Sequence, residues 1–325
     1  MNVIGIDISK ATFDAYLITE DQTYFGDFNN DKKGFRTFRN WLKKRNTSTG
    51  WACMEATGRY GDELAEYLFE ANYKVSVVNP ARTRRYFESK LIRTTTDRIA
   101  AQLIADFCLT QKPDLWQPTS PEVKTLQQLV RRVHALKQTR TQELNRKQGA
   151  AIDPLVAKSI NKMIKALDKE ILSLEKEIKD HVEQHPELKR QRELLVSIPG
   201  FADISAFELM SEIGDISRFE SADQVIAYAG LSPKSHDSGT SVKRKPRLSK
   251  IGNSRLRSAL FFPALSALQH NPIIIALKLR LEERNKTRMI IVGAAMRKML
   301  RLAYGVLKTG KTFDPNFVIN MQNTA

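Results

Sequence analysis

Cysteine is almost absent from this sequence, since its 325 residues include only Cys53 and Cys108. Two cysteines cannot build a disulfide framework or a cysteine-rich zinc site, which excludes small disulfide-stabilised domains and zinc-finger proteins. Both cysteines lie among apolar residues. This environment predicts reduced side chains in the core of a cytoplasmic protein.

Long apolar segments are absent as well. No run of residues approaches the roughly 18–20 apolar positions that a membrane-spanning helix requires. The chain begins with the strand-like segment Val3–Ile6, without the basic and apolar regions of a signal peptide. We therefore expect a protein of the cytoplasm that makes no contact with a membrane.

Acidic residues are few relative to basic ones: 36 Asp and Glu stand against 52 Lys and Arg, which gives a formal net charge of +16. A charge of this size indicates a polyanionic partner, of which nucleic acid is the most common. Between positions 234 and 257 the only acid is Asp237, and the basic residues are Lys234, Lys243, Arg244, Lys245, Arg247, Lys250, Arg255 and Arg257. Because Gly239 and Pro246 interrupt any helix there, the segment predicts a nucleic-acid-binding loop rather than an ordinary solvated face.

The first third of the chain alternates strand-like and helix-like patterns. Val3–Ile6 and Ala15–Ile18 predict a β-hairpin. Apolar spacing predicts further strands at 51–54 and 74–78, and helices at 34–44, 63–71 and 96–109. This alternation is typical of an α/β domain with a central sheet. The prolines between 112 and 121 place its end near residue 115, so that the first domain covers residues 1–115.

The middle of the chain, residues 116–190, has helical periodicity. Apolar residues follow one face from Leu126 to Leu136 and recur at steps of 4, 3, 4, 3 and 4 from Ile160 to Ile178. This heptad spacing predicts a coiled-coil or dimerisation arm, with an ordinary amphipathic helix pair as the alternative. Residues 191–325 are predicted to be mainly helical. There, the Pro199-Gly200 turn suggests a helix-hairpin-helix element that presents backbone N–H groups to a phosphate.

Three acids follow predicted elements at positions suited to chemistry. Asp7 ends the first strand, Glu55 follows the strand at 51–54, and Asp97 lies at the start of a helix. Each alone has an ordinary explanation, such as a turn or a helix cap, and Gly-Ile-Asp also occurs in actin-like ATPases. Together they can share hard cations such as Mg²⁺, which prefer oxygen ligands. In a strongly basic protein this set indicates phosphodiester cleavage with one or two metal ions.

Short motifs in both halves of the chain carry a family resemblance. The first half contains Gly-Ile-Asp-Ile-Ser-Lys (5–10), Glu-Ala-Thr-Gly (55–58), Val-Asn-Pro (78–80) and Thr-Asp-Arg-Ile (96–99). The second half contains Ser-Ile-Pro-Gly (197–200), Ala-Gly-Leu-Ser-Pro (229–233), Ser-Gly-Thr-Ser (238–241) and Ser-Lys-Ile-Gly-Asn (249–253). With these motifs in this order, the sequence resembles the DEDD-type insertion-sequence transposases and the related Piv-like DNA invertases over nearly its whole length.

The resemblance implies an α/β plus all-α architecture. An RNase H-like (RuvC-like) domain would be followed by a coiled-coil arm and by a helical transposase domain covering 191–325. By position, Asp7, Glu55 and Asp97 would bind Mg²⁺, and Ser238 would be the nucleophile that forms a covalent phosphoserine link. The implied partners are donor and target DNA, a structured guide RNA from the element's own ends, and further copies of the chain in a dimer or tetramer. The implied location is the cytoplasm, at the bacterial nucleoid.

One position departs from the family pattern, which has a fourth acid three residues after the third. Ala100 occupies that position here and cannot coordinate a metal. Either three ligands suffice, or Asp106 compensates, or the chain is an inactivated variant. Apart from the resemblance, Ser235 and Ser241 rank as high as Ser238.

Three classes of function therefore remain. The first is a recombinase with a serine nucleophile. The second is a RuvC-like structure-specific nuclease that uses water, and the third is a nucleic-acid-binding protein without catalytic activity. A covalent protein–DNA adduct on Ser238 would separate the first from the second.

Overall fold

The computed structural model describes residues 2–56, 58–91, 96–148, 152–238 and 242–316, and of residues 59, 235–238 and 242–246 it describes the backbone only. These residues form two compact units, Met1–Pro118 and Thr119–Ala325. The segment predicted as a separate arm lies almost entirely in the second unit. The division into three domains therefore stays a prediction.

The first unit contains a five-stranded mixed sheet in the order β3-β2-β1-β4-β5. Its strands are β1 (Val3–Ile8), β2 (Thr12–Ile18), β3 (Thr23–Asn29), β4 (Trp51–Glu55) and β5 (Lys74–Val78). The first three pair antiparallel, and β4 and β5 run parallel to β1. The predicted hairpin and strands are confirmed. The strand β3 was not predicted because Phe28 is its only buried side chain, which leaves little apolar alternation to detect.

Helices cover both faces of this sheet. They are α1 (Lys32–Lys43), α2 (Asp62–Glu70), α3 (Pro80–Ser89) and α4 (Asp97–Gln111). On one face, α4 packs directly against β1, β2 and β4. This approach requires glycine at position 5, because a Cβ there would lie 2.1 Å from the carbonyl oxygen of Ala101 and 2.2 Å from the amide of Ala105. The glycine of the Gly-Ile-Asp motif thus sets the distance between α4 and the central strand.

The second unit is mainly helical. Its helices are α5 (Pro121–Lys147), α6 (Pro154–Gln184), α7 (Pro186–Val196), α8 (Asp203–Ile213), α9 (Ala222–Tyr228), α10 (Ser254–Ala259), α11 (Phe261–His270), α12 (Pro272–Glu283) and α13 (Arg288–Thr309). Leu167, Ile171 and Ile178 of the heptad segment are buried in one core with Leu126 and Val130 of α5. The heptad face of α6 is therefore covered by its own neighbour in the chain.

The basic segment predicted as a loop is largely a two-stranded antiparallel ribbon, β6 (Pro233–Ser238) and β7 (Val242–Leu248), followed by α10. Pro246 is accommodated because the pairing register shifts between Lys234 and His236, where β7 carries an extra residue. The expectation of a loop was wrong for this reason: a proline and a glycine exclude a helix but not a ribbon with a bulge. No single helix in the described ranges has the length and apolar composition of a membrane span, although the bent pair Ser254–His270 and Pro272–Glu283 has them when combined.

Candidate active site

Carboxylates line the face of the sheet on which α4 lies. Asp7 of β1 is paired with Asp14 of β2, and Asp14 is paired with Asp27 of β3. Directly paired residues of antiparallel strands extend to the same face. Glu55 is two residues after Cys53, which is buried against α4, so Glu55 belongs to this face as well. Sequence reasoning missed Asp14 and Asp27, because they are recognised only once the strand register is known.

The charges of these acids act on one another. The pKa of Asp7 is raised to about 6, first because the side chain is half-buried and then because the charges of Glu55, Asp97 and Asp14 lie nearby. The pKa of Asp14 is also raised, by burial and by the charges of Asp97 and Asp27. The first residue of α4 is therefore electrostatically coupled to both paired strands. Mutually repelling carboxylates of this kind are typical of functional sites.

The donor chemistry of this face fits a hard cation, although the side chains do not form a closed cage. Among the described residues, no group of three or more His, Cys, Asp and Glu side chains is arranged closely enough to hold a metal ion. Carboxylate oxygens are nevertheless the ligands that Mg²⁺ prefers, and a cation would offset the repulsion that raises the pKa of Asp7. The convergence of Asp7, Glu55 and Asp97 to within about 5–8 Å stays a prediction.

Glu55 is held by a residue that the sequence did not reveal. The hydroxyl of Thr83, which is fully buried on α3, donates a hydrogen bond of 2.5 Å to Oε1 of Glu55. The Val-Asn-Pro motif places this threonine, since Asn79 caps α3 by accepting a hydrogen bond from the Ala81 amide and Pro80 is the first helical residue. Thr83 is thus a positioning residue for Glu55, and no spacing rule connects the two.

The carboxylate of Asp97 does not cap α4. Thr96 is the N-cap residue, and its hydroxyl accepts a hydrogen bond from the Ile99 amide. The alternative interpretation of Asp97 as the helix cap is therefore wrong.

Ala100 follows one turn after Asp97 and is 9% exposed. Asp106 accepts a hydrogen bond from the Tyr86 hydroxyl and pairs with Lys90, so its carboxylate is engaged by α3 and by the residue that follows it.

The raised pKa of Asp7 predicts how the metal-free protein responds to pH. Above about pH 6 the folded state carries an unfavourable charge there, and below about pH 4 the carboxyl is protonated in both the folded and the unfolded state. In EDTA, Asp7→Asn should therefore raise the free energy of unfolding by about 1 kcal/mol at pH 7 and leave it nearly unchanged at pH 4. Urea unfolding at the two pH values measures this difference.

The matched control is Asp27→Asn, an exposed carboxylate of the same row that is not among the charges acting on Asp7. It should change the free energy of unfolding less than Asp7→Asn does. A loss of stability in Asp7→Asn at pH 7 would contradict the repulsion described above.

In the second unit, Ser238 closes β6 and pairs with Val242. Its side chain lies outside the described part of the structure, as do those of Lys243, Arg244 and Lys245. Lys234, Arg247, Lys250 and Arg255 are exposed. Arg257 instead donates a hydrogen bond of 2.9 Å to the carbonyl oxygen of Ala229, and this contact ties α10 to the end of α9.

The motifs flanking this ribbon fix its base. Asn253 caps α10, and its side-chain amide donates a 2.8 Å hydrogen bond to the buried carboxylate of Glu212 on α8. Arg131 of α5 pairs with the same carboxylate at 3.0 Å. The amide of Lys250 donates to the carbonyl of Gly230. The Ser-Lys-Ile-Gly-Asn motif therefore has a positioning role, because its hydrogen bonds hold the end of β7 against the helical core.

Comparisons with known proteins cover nearly the whole chain. Residues 4–151 match the model of the DEDD transposases of the IS110 type, and residues 192–278 match the model described as the transposase IS116/IS110/IS902 family. The pilin gene-inverting protein of Moraxella lacunata is 36% identical over 315 residues, which are 96% of this chain and 97% of that protein. The transposase for insertion sequence element IS1111A of Coxiella burnetii is 24% identical over 304 residues, 83% of this chain and 79% of that protein.

Proposed function

Because the chain belongs to the family of the IS110-type transposases and the pilin gene-inverting proteins, and is thus a DNA transposase or recombinase, we propose that it cleaves and rejoins DNA strands with Mg²⁺ and the Ser238 hydroxyl. One observation carries the metal part of this proposal: the charges of Glu55, Asp97 and Asp14 act on the half-buried Asp7. The five-stranded mixed sheet is consistent with an RNase H-like DEDD domain.

Asp7, Glu55 and Asp97 would hold the ion, and Thr83 would fix the orientation of the Glu55 carboxylate through its hydrogen bond to Oε1. A bound divalent ion supplies charge stabilisation at the phosphate oxygens and lowers the pKa of an attacking hydroxyl. The position of Asp97 follows from the docking of α4 at Gly5, since Ala101 and Ala105 contact the strand that carries Asp7. The protein's own contribution is therefore to hold acids from two strands and one helix on one face.

Ser238 would attack the scissile phosphate. The bond between its Oγ and phosphorus forms while the bond between phosphorus and the leaving deoxyribose oxygen breaks, and the hydroxyl proton is transferred in net to that oxygen. Rejoining reverses these steps with the hydroxyl of another strand. The serine lies at the end of a ribbon whose two strands carry Lys234 and Arg247, cations suited to contacts with DNA phosphates.

We further propose that a structured RNA from the element's own ends directs this activity and that the active form is a dimer or tetramer. The net charge of +16 supports contacts with more than one nucleic acid strand. Processing two strands requires two catalytic sites, which supports a homo-oligomer. Since the heptad face of α6 is covered within the chain, a contact between subunits through this helix would use residues outside that face, such as the exposed Leu172.

A recombination assay tests the proposed function. Purified protein is combined with donor and target DNA and with RNA transcribed from the non-coding DNA that flanks the gene, in Mg²⁺ or in EDTA. Joined products should form only when both RNA and Mg²⁺ are present. Joined products in EDTA would overturn the metal proposal, and equal products without RNA would overturn the proposal of RNA guidance.

Ala100 favours a second candidate, a family member that binds nucleic acid and cleaves it poorly. The fourth acid of the family pattern is missing, and Asp106 is engaged by Tyr86 and Lys90. The assay is therefore run in parallel with the Ala100→Asp protein. Products from that variant alone would establish the second candidate for the natural chain.

A further inference from the structure

A cleft of about 820 Å³ lies in the second unit, between the base of the ribbon and the helices α12 and α13. Its apolar lining includes Leu231, Leu248, Leu277, Met289 and Ile290. Met289 is 67% exposed and Ile290 is 50% exposed, so this part of the lining is open to solvent. The volume is within the range of about 300–1,000 Å³ that is usual for ligand sites.

The same cleft is lined by basic side chains from both of its sides. Arg247 and Lys250 come from the end of β7 and the residues after it, and Arg297, Lys298 and Arg301 come from one face of α13. None of the described side chains that line the cleft is acidic. Asp223 lies outside the lining and pairs with Arg297 at 3.7 Å and with Arg301. The cleft therefore keeps an excess of positive charge.

Lys298 shows this excess most clearly. It is half-buried, and among the described residues it has no ion pair. Burial and the charges of Arg301 and Arg280 lower its pKa. A bound anion such as a phosphate group would offset this repulsion. Lys298 lines the cleft together with the apolar residues, so such a phosphate would lie beside the apolar lining.

An apolar recess bordered by cations matches one unit of a nucleic acid strand whose base is not paired. Perfect duplex DNA presents its phosphates outward but keeps its bases stacked inside, so it would leave the apolar lining empty. A base outside the stack can enter a recess while its phosphates remain on the basic rim. We propose that this cleft binds an unpaired nucleotide of the DNA substrate, with the base against Met289 and Ile290 and the phosphates on the basic face of α13.

This inference rests on the proposed function, since it takes DNA as the substrate, but it is independent of the metal site. Binding is therefore measured in EDTA, with the full-length protein and fluorescent DNA at fixed salt. The probes are a perfect duplex, the same duplex with one extrahelical nucleotide, and the single strand. The natural protein should prefer the two probes with an unpaired base over the perfect duplex by about tenfold.

Met289→Ser and Lys298→Gln should each remove most of that preference. Because Met289 is largely exposed, its replacement should not impair folding, and thermal unfolding checks this. The matched controls are Leu279→Ser and Lys286→Gln, exposed residues outside the cleft that should keep the full preference. A 4-thiothymidine in the extrahelical position should crosslink to residues of the cleft, which peptide mass spectrometry identifies.

Other results would overturn the proposal. An unchanged preference in Met289→Ser, or an equal loss for all three probes, would show a general phosphate-binding surface rather than a nucleotide site. Tighter binding of single-stranded RNA of the same sequence, abolished by Met289→Ser, would assign the cleft to RNA instead. The test measures binding and not cleavage. If the cleft binds the probes as expected but the protein never cleaves DNA, the proposed function is refuted and the proposed nucleotide site is retained.

Discussion

Ala100→Asp is expected to raise strand cleavage by about 10²-fold to 10³-fold, which corresponds to several kcal/mol of transition-state stabilisation. Ala100 lies one helical turn after Asp97, so a carboxylate there would extend from the same side of α4. It would supply the acid that the family pattern has at this position. Affinity for nucleic acid should stay unchanged, because the basic surface that supplies it is not altered.

The control is Ala100→Asn, which has nearly the same shape without the charge and should not raise cleavage. A second measurement does not depend on catalysis. In EDTA, Ala100→Asp should unfold at a lower temperature than the natural protein, since a further carboxylate joins those already acting on Asp7, and Mg²⁺ should reverse the loss. Equal cleavage with and without the new carboxylate would show that three acids suffice.

Ser238→Ala, introduced into the Ala100→Asp protein, should abolish the covalent adduct and reduce strand joining by at least about 10³-fold, because alanine has no nucleophile to attack phosphorus. Binding should remain within about twofold, since an uncharged side chain adds little to phosphate affinity. Denaturing gel electrophoresis with label on either DNA strand detects the adduct and the strand that carries it.

Ser235→Ala and Ser241→Ala are the matched controls, as both serines belong to the same segment. Each should form the adduct at the level of the Ala100→Asp protein. An undiminished adduct in Ser238→Ala would show that another residue is the nucleophile. Cleavage by Ala100→Asp without any adduct would instead indicate a nuclease that uses water.

The sequence was sufficient to predict the elements whose apolar patterns are strong. Strands β1, β2, β4 and β5 and the helix bearing Asp97 follow from alternation or helical spacing, and prolines lie close to the boundary between the two units at residue 118. The strand β3 has too few buried side chains to be recognised in this way. The spacing of apolar residues thus predicts a strand or helix only when one of its faces is buried, because burial makes apolar residues recur at a regular interval.

The candidate site was predictable only in part, for a different reason. Asp7 and Glu55 lie at the ends of strands and Asp97 begins a helix, so their positions along the chain identify them. Asp14 requires the register of a strand pair, and Thr83 requires the docking of α3 beside Glu55. Such relations arise from tertiary packing between distant segments, which spacing along the chain does not encode.

The contact between Gly5 and α4 also bears on when the acidic face can exist during synthesis. Ala101 and Gly5 are 96 positions apart in the chain (101 minus 5), so this contact closes a long loop. A nascent chain that has not yet emerged as far as α4 carries Asp7 and Glu55 without Asp97. The contact order of this site is high, and its formation should be among the last events in the folding of the first unit. Incomplete chains would therefore carry only part of this set of acids, and DNA cleavage would require a complete first unit.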